Sequence, residues 1–76
     1  MLKVKLPELG EDIRSATVSC WYVKIGDQVA KDDDIVELVT DKATFNVSAE
    51  KNGIIKEILA KEGDSVNIGE PLAIIE

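Results

Sequence analysis

Apolar and polar residues alternate with a period of two at the start of this chain. Leu2, Val4 and Leu6 interleave with Lys3 and Lys5, the pattern of a half-buried strand. Pro7 ends it, because proline has no N–H to give a sheet ladder. Residues 8–15 are polar around Gly10 and read as a loop. Residues 16–25, rich in Val, Thr, Trp and Tyr, predict a second strand, which Gly26-Asp27 turns. Val29 marks a very short segment, and residues 31–34 a charged connection. Residues 35–39 and 44–48 predict two strands separated by the polar break Asp41-Lys42-Ala43, with Asp well suited to start the turn. Residues 54–60 predict another strand, Gly63-Asp64 a second turn, Val66 a second short segment, and residues 71–75 the last strand. Residues 54–61 also fit one face of a helix, but so short a run between glycines favours a strand. Many short, closely spaced strands predict an all-β sandwich or barrel.

An internal repeat sharpens that reading. Displaced by 37 positions, residues 16–38 lie on residues 53–75. Lys24, Gly26, Asp27 and Val29 then meet identical residues at Lys61, Gly63, Asp64 and Val66. Val18 with Ile55, Trp21 with Ile58, Ile35 with Leu72 and Leu38 with Ile75 are apolar on both sides. The shared kernel Lys-x-Gly-Asp-x-Val implies a turn that needs φ > 0 at glycine and an aspartate bonding the backbone that follows it. Two copies predict two similar half-sheets about an approximate two-fold axis. The same displacement carries Lys42 just past Glu76 in one direction and onto Lys5 in the other, so the central turn maps onto the chain ends. Lys42 and the termini are therefore expected at opposite ends of the molecule, the layout wanted of a carrier.

Composition narrows the classes. At 76 residues there is room for one small domain, residues 1–76, and not for two. A formal charge of −6 argues against nucleic acid and anionic membranes as partners, since both call for a basic face. A single cysteine, Cys20, excludes an internal disulfide and points to a reducing compartment. With no histidine, zinc and haem sites are not expected, and no apolar run approaches the ~20 residues of a membrane span. The expectation is a soluble, intracellular, monomeric domain. No histidine, paired-acid or serine constellation suggests catalysis, so no catalytic residue is assigned.

With these motifs in place, the chain resembles the lipoyl domain of the dihydrolipoamide acyltransferase component of a 2-oxo acid dehydrogenase complex, within the biotinyl/lipoyl-attachment family. Leu6-Pro7-Glu8-Leu9-Gly10-Glu11 resembles the opening motif, residues 21–29 the first Gly-Asp turn, Asp41-Lys42-Ala43 the modification site, residues 53–66 the second turn and residues 69–75 the closing strand. The resemblance implies a flattened barrel of two four-stranded antiparallel sheets, a barrel-sandwich hybrid. It implies lipoic acid in amide linkage on Lys42, attached by a lipoate ligase or lipoyl transferase that reads Asp41 and Ala43. It implies three further partners: a thiamine-diphosphate 2-oxo acid decarboxylase, the acyltransferase domain of the same longer chain, and dihydrolipoamide dehydrogenase. Gly10, Glu11 and Asp12 lie in the family's first surface loop, which packs near the lysine turn and helps partners recognise the domain; a plain connecting loop is the equal alternative. The residues suit that chemistry in their own right, since amide attachment needs a primary amine on a flexible stem, and a turn tip is accessible to a ligase.

Alternatives stay open on the residues alone. A biotin carrier shares the fold, although biotin sites typically flank the lysine with methionine where this chain has Asp41 and Ala43. An unmodified structural or docking sandwich is the third reading. The run Asp32-Asp33-Asp34 reads as a solvated loop rather than an address for a partner. Cys20 reads as inert packing, and Trp21, Tyr22 and Phe45 as core or half-buried cover. The chain departs from the family pattern at Val39, where an acidic residue is common, at Ala16, where glycine is frequent, and in residues 65–68. Pyruvate, 2-oxoglutarate and branched-chain 2-oxo acids are all admissible substrates of the complex. The chain reads as the N-terminal part of a longer acyltransferase. Met1 directly before the first strand points to a bacterial cytoplasm, with the mitochondrial matrix the eukaryotic equivalent.

Overall fold

A computed structural model describes residues 1–76. Eight strands follow in order: β1 (Leu2–Lys5), β2 (Ser15–Trp21), β3 (Gln28–Val29), β4 (Asp34–Val39), β5 (Thr44–Ser48), β6 (Gly53–Ile58), β7 (Ser65–Asn67) and β8 (Pro71–Ile75). They form two antiparallel four-stranded sheets, ordered β1-β8-β6-β3 and β5-β4-β2-β7. The molecule is flattened, measuring 32 × 21 × 17 Å. There is no helix.

The apolar residues of the strands pack between the two sheets, and in β4 and β8 two neighbours in sequence, Ile35 with Val36 and Leu72 with Ala73, are both buried. Val4, Ala16, Val18, Ile35, Leu38, Val47, Ile55, Val66, Leu72 and Ile75 are buried between the sheets, and no polar side chain joins them. Each fully buried Ile or Leu contributes about 1.5–3 kcal/mol, so a chain this short depends on nearly all of them. Trp21 closes one seam: its indole N–H donates to the Ala60 carbonyl at 2.9 Å, linking the end of β2 to the opposite sheet.

Strand limits differ from the sequence expectation at two places. The strand expected over 16–25 ends at Trp21, and the one expected over 54–60 ends at Ile58. The reason is the same in both halves. Tyr22 and Leu59 each make one last bond, to the Ile35 and Leu72 carbonyls, before the chain bends into its Gly-Asp turn. Tyr22 is also 49% exposed rather than core or half-buried, with its hydroxyl on Asn46.

The two-fold relation holds bond by bond. The β2·β4 and β2·β7 pairings are matched by β6·β8 and β6·β3, and β4·β5 by β8·β1. Gly26 and Gly63 adopt φ values of +95° and +92°, as the repeat requires. The paired aspartates act differently from expectation, because each closes the turn backwards. Asp27 Oδ2 accepts the Lys24 N–H at 2.8 Å, and Asp64 Oδ2 accepts the Lys61 N–H at 2.9 Å. A second matched pair was hidden by a change of residue type: Asp33 accepts the Ala30 N–H as Glu70 accepts the Asn67 N–H, both at 2.9 Å.

Asp33 and its neighbours therefore do more than fill a solvated loop. Asp32 takes a φ of +75°, where the equivalent position is Gly69 at +89°. Asp34 accepts from Asn46 Nδ2 and Ser48 Oγ across the β4·β5 pair.

The two edge strands β1 and β5 do not follow the 37-residue displacement. Leu2 pairs with Ile75 as Phe45 pairs with Leu38, so β1 and β5 are related by an offset of 43 rather than 37. Lys5 consequently matches Ser48, not Lys42. Two consequences follow from the change of offset. Residues 40–43, the lysine turn, correspond to the opening between Glu76 and Met1. Residues 7–14 fill a connection that the other half spans with residues 50–51 alone.

Candidate functional site

The site is built on the hairpin that joins β4 to β5, the one pair of sheet neighbours that are also consecutive in the chain. β4 and β5 pair through Val39 and Thr44, leaving residues 40–43 as the turn. Neither Asp41 nor Lys42 has a positive φ, which fits the type I turn around which four-residue hairpin loops are most often built. Thr40 braces that turn. Its N–H donates to the Ala43 carbonyl at 2.8 Å, and its hydroxyl donates to the same carbonyl at 3.1 Å. The hydroxyl also accepts the N–H groups of Lys42 at 3.2 Å and Ala43 at 3.1 Å. Asp41, expected to start the turn, makes no such bond; Thr40 is the residue the sequence reading missed. The signal that could have found it is a hydroxyl two residues before the tip, where Ser and Thr bond their own backbone.

Lys42 stands at the tip with its side chain 57% exposed. Asp41 and Ala43 are exposed on either side of it. Chain tracing puts this tip far from the termini. β5 starts at the turn and rises about 17 Å at the usual strand repeat. Residues 49–52 then deliver the chain to β6, where Ile54 exchanges both backbone bonds with Glu76.

Of the expected loop residues, the structure brings one to the lysine. Asp12 Oδ2 lies 3.4 Å from Lys42 Nζ, in an ion pair exposed on both sides. Such a pair adds little stability. Gly10 and Glu11 are exposed near it, with the Gly10 carbonyl accepting the Ile13 N–H, and neither bonds the lysine turn. The loop is fastened to the body behind its tip, where the Arg14 carbonyl accepts the Ile68 N–H and Leu6 exchanges bonds with Gly69 and Glu70. Because the matching connection manages with residues 50–51, the fold does not require the surplus, and the surplus lies beside Lys42.

Elsewhere the titratable groups lead away from reactivity. Partial burial first, and the Glu37 carboxylate second, push the Cys20 thiol above its ordinary range, and its Sγ–H donates to Glu37 Oε2 at 3.4 Å. A raised thiol is a poor nucleophile near neutral pH. Tyr22 is raised by the same two causes in the same order. No group of three or more His, Cys, Asp and Glu side chains is placed to hold a metal ion.

Fold and site together define a class: a two-fold β-sandwich that presents one lysine on a hydroxyl-braced hairpin. The biotin/lipoyl family, described as "Biotin-requiring enzyme", matches residues 2–75, and the chain belongs to it. It is 44% identical over 75 residues to the dihydrolipoyllysine-residue succinyltransferase component of the 2-oxoglutarate dehydrogenase complex of Staphylococcus saprophyticus, covering 99% of this chain and 18% of that one. It is 40% identical over 76 residues to the mitochondrial lipoamide acyltransferase component of the branched-chain alpha-keto acid dehydrogenase complex of Bos taurus, covering 100% of this chain and 16% of that one. The chain thus spans less than a fifth of the length of these relatives. Among solved structures, the lipoyl domain of the 2-oxoglutarate dehydrogenase complex of Azotobacter vinelandii superposes with a TM-score of 0.80 at 39% identity, over 100% of this chain and 96% of that domain.

Proposed function

We propose that this domain is a swinging-arm carrier, with lipoate in amide linkage on Lys42, serving a 2-oxo acid dehydrogenase complex. The observation that carries the reading is the position of Lys42. It is an exposed primary amine on a braced tip, at the end remote from both termini. Relatives named for the dihydrolipoyllysine residue, and a lipoyl domain of the same fold, support it.

Attachment is an acyl transfer. The unprotonated Lys42 amine attacks the carbonyl carbon of an ATP-activated lipoyl adenylate; the C–N bond forms, the C–O bond to phosphate breaks, AMP leaves and a proton passes to solvent. The flanks Asp41 and Ala43 leave the ligase a small, polar approach. Bound there, lipoate supplies a dithiolane that takes up two electrons with an acyl group and yields the acyl group to coenzyme A. Everything else is presentation: the sandwich holds the lysine out from its surface, and tethering raises the arm's concentration at each partner active site.

The partners in this reading are a lipoate ligase, a thiamine-diphosphate 2-oxo acid decarboxylase, an acyltransferase domain in the same longer chain, and dihydrolipoamide dehydrogenase. The domain contributes no catalytic residue of its own. The surplus loop with Gly10, Glu11 and Asp12 supplies a recognition surface at the lysine end. Decarboxylases specific for 2-oxoglutarate and branched-chain 2-oxo acids are the first to test, since those are the complexes named for the relatives.

Intact mass after incubation with lipoate, ATP and a lipoate ligase tests the reading. The wild type is expected to gain one lipoyl group and Lys42→Ala none. A folded wild type that gains nothing overturns the assignment, and the same experiment with a biotin ligase then separates a biotin carrier from an unmodified module.

A further inference from the structure

We infer that Thr40 is a positioning residue for the modification of Lys42: its hydroxyl sets the turn that aims the lysine, and does so for the site rather than for the fold. The inference rests on the lipoyl reading above for its enzymatic test, and on the geometry alone for its structural one.

Three observations carry it. The first is saturation. A hydroxyl offers one donor and two acceptor positions, and Thr40 Oγ1 uses all three within the turn, on the Ala43 carbonyl and on the Lys42 and Ala43 N–H groups. It takes the place of the backbone acceptor that usually closes such a turn.

The second is backbone conformation. Residues 40–43 make a four-residue loop, and such loops are most often built around a type I turn. Asp41 and Lys42 lack the positive φ of the mirror-image turns, as a type I turn requires, and Thr40 and Ala43 stand between them and the Val39–Thr44 pair. Without the hydroxyl, two N–H groups lose their acceptor and the turn loses its bracing. The Cα–Cβ bond of Lys42 then points elsewhere.

The third comes from the symmetry. The β8·β1 pair repeats the β4·β5 pair register for register, yet it joins the last strand to the first with no hairpin turn between them. This pairing thus forms in one half without a turn to close it. It does not itself demand a braced turn, and what the bracing at 40–43 fixes is the direction in which Lys42 leaves the sheet.

The test compares wild type, Thr40→Val, which keeps the shape and removes the hydroxyl, and Thr40→Ser, which restores it. Initial rates of lipoylation by a lipoate ligase are measured over a range of domain concentration, with urea unfolding and NMR of the Lys42 and Ala43 amides alongside. Thr40→Val is expected to unfold at nearly the wild-type urea concentration, to lose protection at both amides, and to fall in kcat/KM by about tenfold or more, since small misplacements of a reacting group carry large rate costs. Thr40→Ser is expected to recover the rate to within about twofold. Equal rates for Thr40→Val and wild type overturn the inference, as does a Thr40→Ser variant no better than Thr40→Val. A folded wild type that is never lipoylated overturns the carrier reading instead. The amides then decide alone, and unchanged protection at Lys42 and Ala43 in Thr40→Val overturns the role of Thr40.

Discussion

Two equivalent residues show how differently one position can be used in the two halves. Ala16 is buried with its methyl accommodated. At its counterpart, Gly53, an added Cβ would overlap Ile75 Cγ2 and stand 2.8 Å from the Glu76 carbonyl oxygen. The space is taken by the last residues of the chain, which Ile54 holds in place by its two backbone bonds. Gly53→Ala is therefore expected to cost about 1–3 kcal/mol, the usual range for overpacking, while Ala16→Gly costs about 0.5–1 kcal/mol through backbone entropy. Urea unfolding of the two variants checks the contrast, and equal costs would contradict it. At this scale the sequence was partly legible. The glycine of each Gly-Asp turn was readable because only φ > 0 explains its repetition, and Lys42 because of its central place. Thr40 was not, since a threonine at the end of a strand looks like any β-branched strand residue until its hydroxyl is seen facing the tip.

The elements were legible to the extent that they repeat. Runs of apolar, β-branched and aromatic residues between turn signals located the strands, and the all-β class followed from their number and close spacing. Strand ends were misplaced at Tyr22 and Leu59, where apolar and aromatic residues continue the strand pattern beyond the point at which the backbone bends. The turns between strands carry a device that only one of its two pairs made visible. Asp27 and Asp64 match as identical residues, whereas Asp33 and Glu70 perform the same closure with carboxylates of different length. Since each carboxylate satisfies one backbone donor in an exposed turn, Asp27→Ala and Asp64→Ala are each expected to cost about 1 kcal/mol. The double variant should cost about the sum, because the turns share no partner. Urea midpoints at constant slope check this; a loss confined to one turn would mean that the two halves do not bear their load equally.

At the scale of the whole molecule, the relation between the lysine turn and the chain ends was legible from the repeat, but its register was not. The change of offset from 37 to 43 arises from residues 7–14, and only strand pairing reveals it. The corrected register makes a specific demand on connectivity. A chain with Glu76 joined to Met1 through four added residues, and reopened between Asp41 and Lys42, has the same pairings as the natural one. It is expected to unfold cooperatively and to lose no more than about 1 kcal/mol, because the loops it closes change little in length. Failure of that chain to fold would show that the hairpin at 40–43 is needed early in folding, and not only as a mount for Lys42.

The pairing of Leu2 with Ile75 also gives the molecule a weak and a strong direction under load. Force applied between Met1 and Glu76 opens the β1·β8 ladder one bond at a time, as a zip opens. Force applied between Lys42 and either terminus instead runs along the strands, so that the β2·β4 ladder and the ladders of the terminal strand must slide and break together. A pull between the two ends frays the β1·β8 ladder at its Leu2–Ile75 end first, away from the hairpin that carries Lys42.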